Sequence, residues 1–152
     1  MRDHRAFDWV DRDLPLKVAR LALAAGARRL AAVTSVASEP GSILHCLRVK
    51  GEFEREAAAL PFETAHFHRP SFLIGRRRAA SLPERLGEPL TRVLGFALRG
   101  PLSVYREISA RAVAEAMAGG LLKGAAGRRV FHYREMIEQA AALNGAALQA
   151  RR

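Results

Sequence analysis

The sequence predicts an α/β fold, a parallel sheet with flanking helices, on three observations. Leu30 to Thr34 is a short apolar run without polar alternation, and Phe62 to Phe67 reads as a second strand. An apolar run of the first kind suits a strand buried on both faces of a parallel sheet. Stretches with three- and four-residue apolar periodicity precede and follow them. Gly26, Pro40-Gly41 and Pro61 fall at the changes of period, where turn formers belong. Strands alternating with helices in this way give a parallel sheet.

Taken in order, Asp11 to Ala25 carries Leu14, Val18, Leu21, Ala22 and Ala25 at helical spacing. Pro15 suits a first turn, where its missing N–H costs nothing, and Gly26 is a natural stop. After the strand Leu30–Thr34 and the loop Ala37–Ser42, a helix is expected from Ile43 to Leu60. Its positions Cys46, Val49, Lys50, Phe53 and Ala57 share one side, which predicts a small buried Cys46 and a lysine on a mostly apolar side. Phe62 to Phe67 is the second strand, and Phe72 to Ile74 is a short apolar run closed by Gly75. His66 and His68, two apart, face one way from a strand. With no carboxylate or cysteine clustered beside them, they read as ordinary strand histidines rather than metal ligands.

Further on, Pro83 to Leu98 is a helical region interrupted near Pro89, and Val104 to Ile108 is expected to be extended. Ser109 is a good N-cap for a helix through Leu122, with Val113, Ala116, Met117 and Leu121 inward. Arg129 to Tyr133 alternates as a strand, and an Ala-rich helix from Glu135 to about Leu148 follows. No internal repeat or linker interrupts the pattern, so residues 1–152 are read as a single domain.

Composition bounds the function. The hydrophobic fraction of 49% is that of a globular chain, and the single cysteine excludes an internal disulfide framework and a cysteine-cluster metal site. No uninterrupted apolar run approaches the roughly 20 residues needed to cross a bilayer. The N-terminus MRDHRAFDWVDRD is too charged for a secretory signal. A soluble cytoplasmic protein without a membrane partner is the expectation. The net charge of +10 comes almost entirely from arginine. A basic face lowers the cost of approaching phosphate. These arginines are scattered, however, with one run at Arg76 to Arg78, and no nucleic-acid motif accompanies them. Solvated arginines account for the charge better than a nucleic-acid partner does.

The segments FDWVDRDLPLKVARLALAAGARRLAAVTSVAS, LRVKGEFE and HRPSFLIGRR, with ISARAVAEAMAGGLL and GRRVFHYREM later, together resemble the C-terminal part of atypical short-chain dehydrogenase/reductases of the Tat-interacting-protein group. That resemblance implies a partial Rossmann-like sheet, the C-terminal half of the fold. It also implies hydride transfer between NAD(P) and a carbonyl or alcohol whose identity the sequence leaves open. On the matching positions, Ser35 or its neighbour Thr34 would polarise a substrate carbonyl, and Thr34 would also lie against the cofactor. Lys50 would bind the nicotinamide ribose, and Arg69, Pro70 and Ser71 would line the nicotinamide pocket.

Two departures from the family pattern bear on activity. Cys46 stands four residues before Lys50, where the family carries its proton-donating tyrosine. A thiol titrates near 8.5, but its sulfur stops short of where a phenol oxygen would reach. The family's glycine-rich turn, which holds the dinucleotide's phosphates at a helix N-terminus, has no counterpart here. The chain is therefore expected to be N-terminally truncated, inactive or partner-dependent, and to bind NAD(P) weakly or not at all. Whether it is an enzyme stays open on these grounds. The alternative is a non-enzymatic interaction module, in which a sheet edge left exposed pairs with a second copy. Nucleic-acid binding through Arg76 to Arg78 is the remaining reading.

Overall fold

A computed structural model describes residues 4–71, 73–74, 100–123 and 126–149. It is an α/β structure built on a three-stranded parallel sheet in the order β1 (Arg29–Val33), β2 (Thr64–His68), β5 (Gly127–Phe131). The register pairs Ala31 with His66 and His66 with Arg129 across the sheet. A separate parallel pair joins β3 (Leu73–Ile74) to β4 (Ile108–Ser109).

Because side chains alternate across a strand, β2 feeds two different layers. Ala65 and Phe67 face one way, into a core with Leu16 and Ala19 of α2 (Leu14–Ala24) and Phe53 and Ala57 of α3 (His45–Ala59). The rings of Phe53 and Phe67 meet edge to face at 6.3 Å. His66 and His68 face the other way, each within about 5 Å of the Phe131 ring centroid. That second core holds Val113 and Ala116 of α4 (Ala110–Lys123) and Met136 of α5 (Tyr133–Gln149). All five residues of β2 are buried, as expected of a central parallel strand.

α3 lies on one face of the sheet and α4 on the other. Neither face of β5 is fully covered, and four of its five residues are exposed.

Local signals behave as their chemistry requires. Gly26 takes a left-handed φ of 91° one residue past the cap of α2. The Ser109 hydroxyl accepts the Ala112 N–H at 3.1 Å and caps α4. Strands and helices lie close to where the periodicity puts them.

Three expectations need correction. The first helix does not begin near Asp11. Helical backbone runs from α1 (His4–Asp8) through a π turn (Trp9–Asp13) into α2. Pro15 thus lies inside a helix, where its ring crowds the carbonyl four residues back and no N–H is offered. The widened turn just before it, with the Leu14 N–H donating to the Trp9 carbonyl, is how the helix absorbs that proline. Second, Cys46 is exposed rather than buried. It lies in the first turn of α3, before the buried stripe that begins at Val49. Third, much of the stretch expected to be extended around Val104 is a 3₁₀ turn (Gly100–Tyr105), and extended backbone starts only at Ile108. The helix expected over Pro83–Leu98 and the Arg76–Arg78 run lie outside the described residues.

Candidate functional site

At the C-terminal ends of β1 and β2 the chain assembles a buried polar cluster. The Thr34 N–H donates to the His68 carbonyl at 2.9 Å, and the Val36 N–H to the Pro70 carbonyl at 3.0 Å. These bonds continue the pairing past the strand ends and bring residues 34–36 against 68–70. The Thr34 hydroxyl donates to the Glu54 carboxylate. Arg69 reaches the same carboxylate through Nε at 3.0 Å and Nη2 at 2.6 Å. Glu54 is buried on α3, so this forked ion pair fastens the helix to the end of the sheet. A carboxylate in that position is tolerable only because a hydroxyl and a guanidinium satisfy it.

Ser35 opens a tight turn closed by Ser38, whose N–H donates to the Ser35 carbonyl at 3.1 Å. The buried Ser38 hydroxyl in turn accepts the Ser35 N–H at 3.1 Å. Ala37 within this turn has φ 60°, a conformation that disfavours any side chain. The loop then drops onto α3 at Gly51. A Cβ there would lie 2.5 Å from the Pro40 nitrogen and 2.6 Å from the Glu39 Cα. The glycine inside this helix is therefore a contact requirement, set by the approaching loop backbone.

Lys50 is placed differently. Its ammonium pairs with Asp11 and lies 5.8 Å from the centroid of the Phe7 ring. Asp8 and His45 meet at 2.7 Å, and Arg12 and Glu52 at 2.7 Å. This row of polar and ionic contacts docks the N-terminal helix along α3. Thr34, Ser35, Arg69 and Pro70 are thus drawn together, with Ser71 following on the same segment. Lys50 serves a helix–helix seam, and Cys46 faces solvent.

The sequence reading missed Glu54, Asp11 and Gly51. For Gly51 a signal existed: a glycine inside an otherwise helical pattern often marks close packing. For Glu54 and Asp11 none did, because a helical glutamate or aspartate is ordinarily solvated.

The sheet has two free edges among the described residues. Even-numbered positions of β1 and its flanks face β2, as the Thr34 and Arg28 bonds show. Ala31 and Val33 therefore turn their N–H and C=O groups outward. On β5, the Gly127 N–H and the Phe131 carbonyl bond towards β2, which leaves Arg128 and Val130 facing outward. A groove flanks each face of β5. One, of about 280 Å³, has Phe67, Ala58 and Val130 as its apolar floor and Arg55, Arg69 and Arg128 on its walls. The other, of about 500 Å³, runs between β5 and α5 past Phe131, Glu135, Glu138 and Gln139. Arg129 borders both.

No protein-family model matches the chain. Similar curated proteins carry the name Protein FMP52, mitochondrial. The Candida glabrata protein is 38% identical over 69 residues, covering 45% of this chain and 30% of the relative. The Saccharomyces cerevisiae protein is 35% identical over 86 residues, covering 57% of this chain and 37% of the relative. The Kluyveromyces lactis protein is 35% identical over 68 residues, covering 45% and 30%. Each match spans about a third of the relative's length.

These relatives correct three expectations. The resemblance to short-chain dehydrogenase/reductases is overturned, since the similar proteins bear the FMP52 name. The reading as an NAD(P)-binding oxidoreductase homologue loses its support with it. A cytoplasmic location conflicts with a name that says mitochondrial. The physical reason is that a strand end, a helical lysine and an Arg-Pro-Ser turn are pieces that any parallel α/β chain can supply. What the chain resembles in the curated proteins is a segment of the mitochondrial FMP52 proteins.

Proposed function

We propose that this chain is an assembly module, in which a second copy adds antiparallel to β1 and continues the sheet across a two-fold axis. The observation that carries the reading is the β1 edge, which has no strand partner among the described residues, and its self-complementary sequence, RLAAV. A two-fold axis through Ala31 sets Ala31 against its copy, Leu30 against Ala32, and Arg29 against Val33. No like charges oppose one another. Ala31 and Val33 already direct their backbone groups outward, so the new ladder uses groups that β2 leaves free. The partly buried Leu30 and Ala32 and the exposed Val33 supply apolar contact. An isologous pairing of this kind closes at two copies.

Light scattering coupled to size exclusion tests it, with a dimer expected at micromolar concentration. Ala31→Pro removes the outward N–H and leaves the bonds to β2, because residues 30, 32 and 34 make those. The variant should run as a monomer with its circular dichroism unchanged. A monomeric parent at high concentration, or a dimer that ignores Ala31→Pro, overturns the proposal.

A further inference from the structure

The opposite edge asks for a different partner. β5 reads GRRVF, and its outward backbone groups belong to Arg128 and Val130. A second copy paired antiparallel about Arg129 would set that guanidinium directly against its twin. Like charges opposite one another in a ladder are unfavourable, and at this non-hydrogen-bonded position the side chains sit closest. Self-pairing in that central register is therefore discouraged, whereas the central register of β1 opposes no like charges.

The grooves on the two faces of β5 state what would fit instead. An extended segment laid along a free edge sends its side chains alternately to the two faces of the sheet. On the α3 face they would enter the groove walled by Arg55, Arg69 and Arg128. Glu54 already neutralises Arg69 there and Glu39 adds a second carboxylate to the lining, yet Arg55, Arg128 and Arg129 leave the groove net cationic. On the α5 face the same segment would meet Phe131 together with Glu135 and Glu138. The first groove calls for carboxylates and the second for apolar or basic side chains.

We infer that the β5 edge binds an extended acidic peptide segment by strand addition, with acidic residues at every second position facing Arg55 and Arg128, and apolar or basic residues between them. Main-chain bonds to Arg128 and Val130 provide affinity, and the two unlike grooves provide register. A one-residue slip would put carboxylates against Glu135 and Glu138, so pairing in the wrong phase is penalised. This edge is separate from β1, and the inference stands whether or not the chain dimerises.

The test uses the full chain and fluorescein-labelled hexapeptides. Glu-Val-Glu-Lys-Glu-Val should bind with micromolar affinity in fluorescence anisotropy. A peptide of the same composition with its three glutamates contiguous should bind at least tenfold more weakly, and an all-lysine peptide not at all. Combined Arg55→Ala and Arg128→Ala should weaken the alternating peptide at least tenfold, and Val130→Pro comparably by deleting an outward N–H. Amide exchange of the unmutated chain gives an independent readout: the Arg128 and Val130 amides should gain protection, while Gly127, already bonded to Glu63, should not change. Equal binding of the contiguous-glutamate peptide would reduce the effect to general attraction by a chain of net charge +10 and overturn the inference. So would absent binding at millimolar peptide, the result expected if another part of the chain or a second copy already covers this edge. Unchanged exchange at Arg128 and Val130 would also overturn it.

Discussion

The two edges of this sheet are built from the same kind of strand and present opposite chemistry. β1 offers alanine, leucine and valine with one terminal arginine, and β5 offers adjacent arginines in its middle. A charge at the end of a five-residue strand is opposed by a valine in a two-fold ladder, whereas a charge at its centre is opposed by itself. Position within the strand, more than composition, therefore decides whether an edge accepts its own copy. Central charge is a familiar way for natural sheets to protect an edge from self-association. Here it also gives that edge a preference for acidic partners.

This contrast can be broken or sharpened in four ways. Glu54→Ala should have the largest effect, because it leaves Arg69 without its carboxylate and Thr34 without its acceptor. Breaking a buried pair by removing one partner costs about 3 kcal/mol or more. As Glu54 ties α3 to the sheet between the edges, both binding functions should fall together with the chemical-denaturation midpoint. Survival of either edge at parental stability would show that the cluster is dispensable.

Gly51→Ala should act on one side only. The added methyl meets the Glu39–Pro40 backbone, and overpacking of this kind costs about 1–3 kcal/mol. Since Glu39 and Pro40 border the arginine-walled groove, peptide binding at β5 should weaken while dimerisation through β1 persists. Equal loss at both edges would mean the damage is global.

Arg129→Val tests the comparison most directly. It makes the centre of β5 resemble β1, so a second self-pairing edge should appear. A chain with two such edges has no closed dimer as its end point, and species larger than a dimer should grow with concentration in analytical ultracentrifugation. A variant that stops at the parental size would remove the charge argument.

The smallest effect is that of pH. His68 is buried against Phe131, and burial pushes its imidazole below the ordinary value of 6.5 despite a 3.3 Å contact with Gln139. Above pH 6.5 the ring is neutral in both folded and unfolded chains and stability does not change. Below it the unfolded chain takes up the proton first, so stability falls with decreasing pH until the folded-state value is passed. His68→Phe should flatten that acid limb in thermal melts between pH 7 and 5. As His68 sits on the central strand, the parental loss should affect both edges equally.

Much of the architecture was legible beforehand because it rests on short-range chemistry. Gly26 stops α2, Ser109 caps α4, and the apolar runs became β1 and β2 within a residue or two. The pair Thr34 and Arg69 was also marked in advance, although for another role. What organises them is Glu54, which sequence reasoning passed over as a solvated helical residue. Lys50 shows the reverse: the family resemblance implied a cofactor-binding role for it, and its charge is met by Asp11, about forty residues earlier in the chain. Pairings across such separations leave no local pattern to read.

Propensity, capping and periodicity act within a few residues, and they set the parallel α/β class, the positions of most helices and strands and the composition of each strand. The tertiary structure alone decided that α3 and α4 take opposite faces, that β5 is left with a groove on each side, and that Gly51 must admit the loop backbone. Those outcomes depend on which surfaces meet. That is settled by packing between elements far apart in the chain, and the same packing turns two similar strands into two unlike edges.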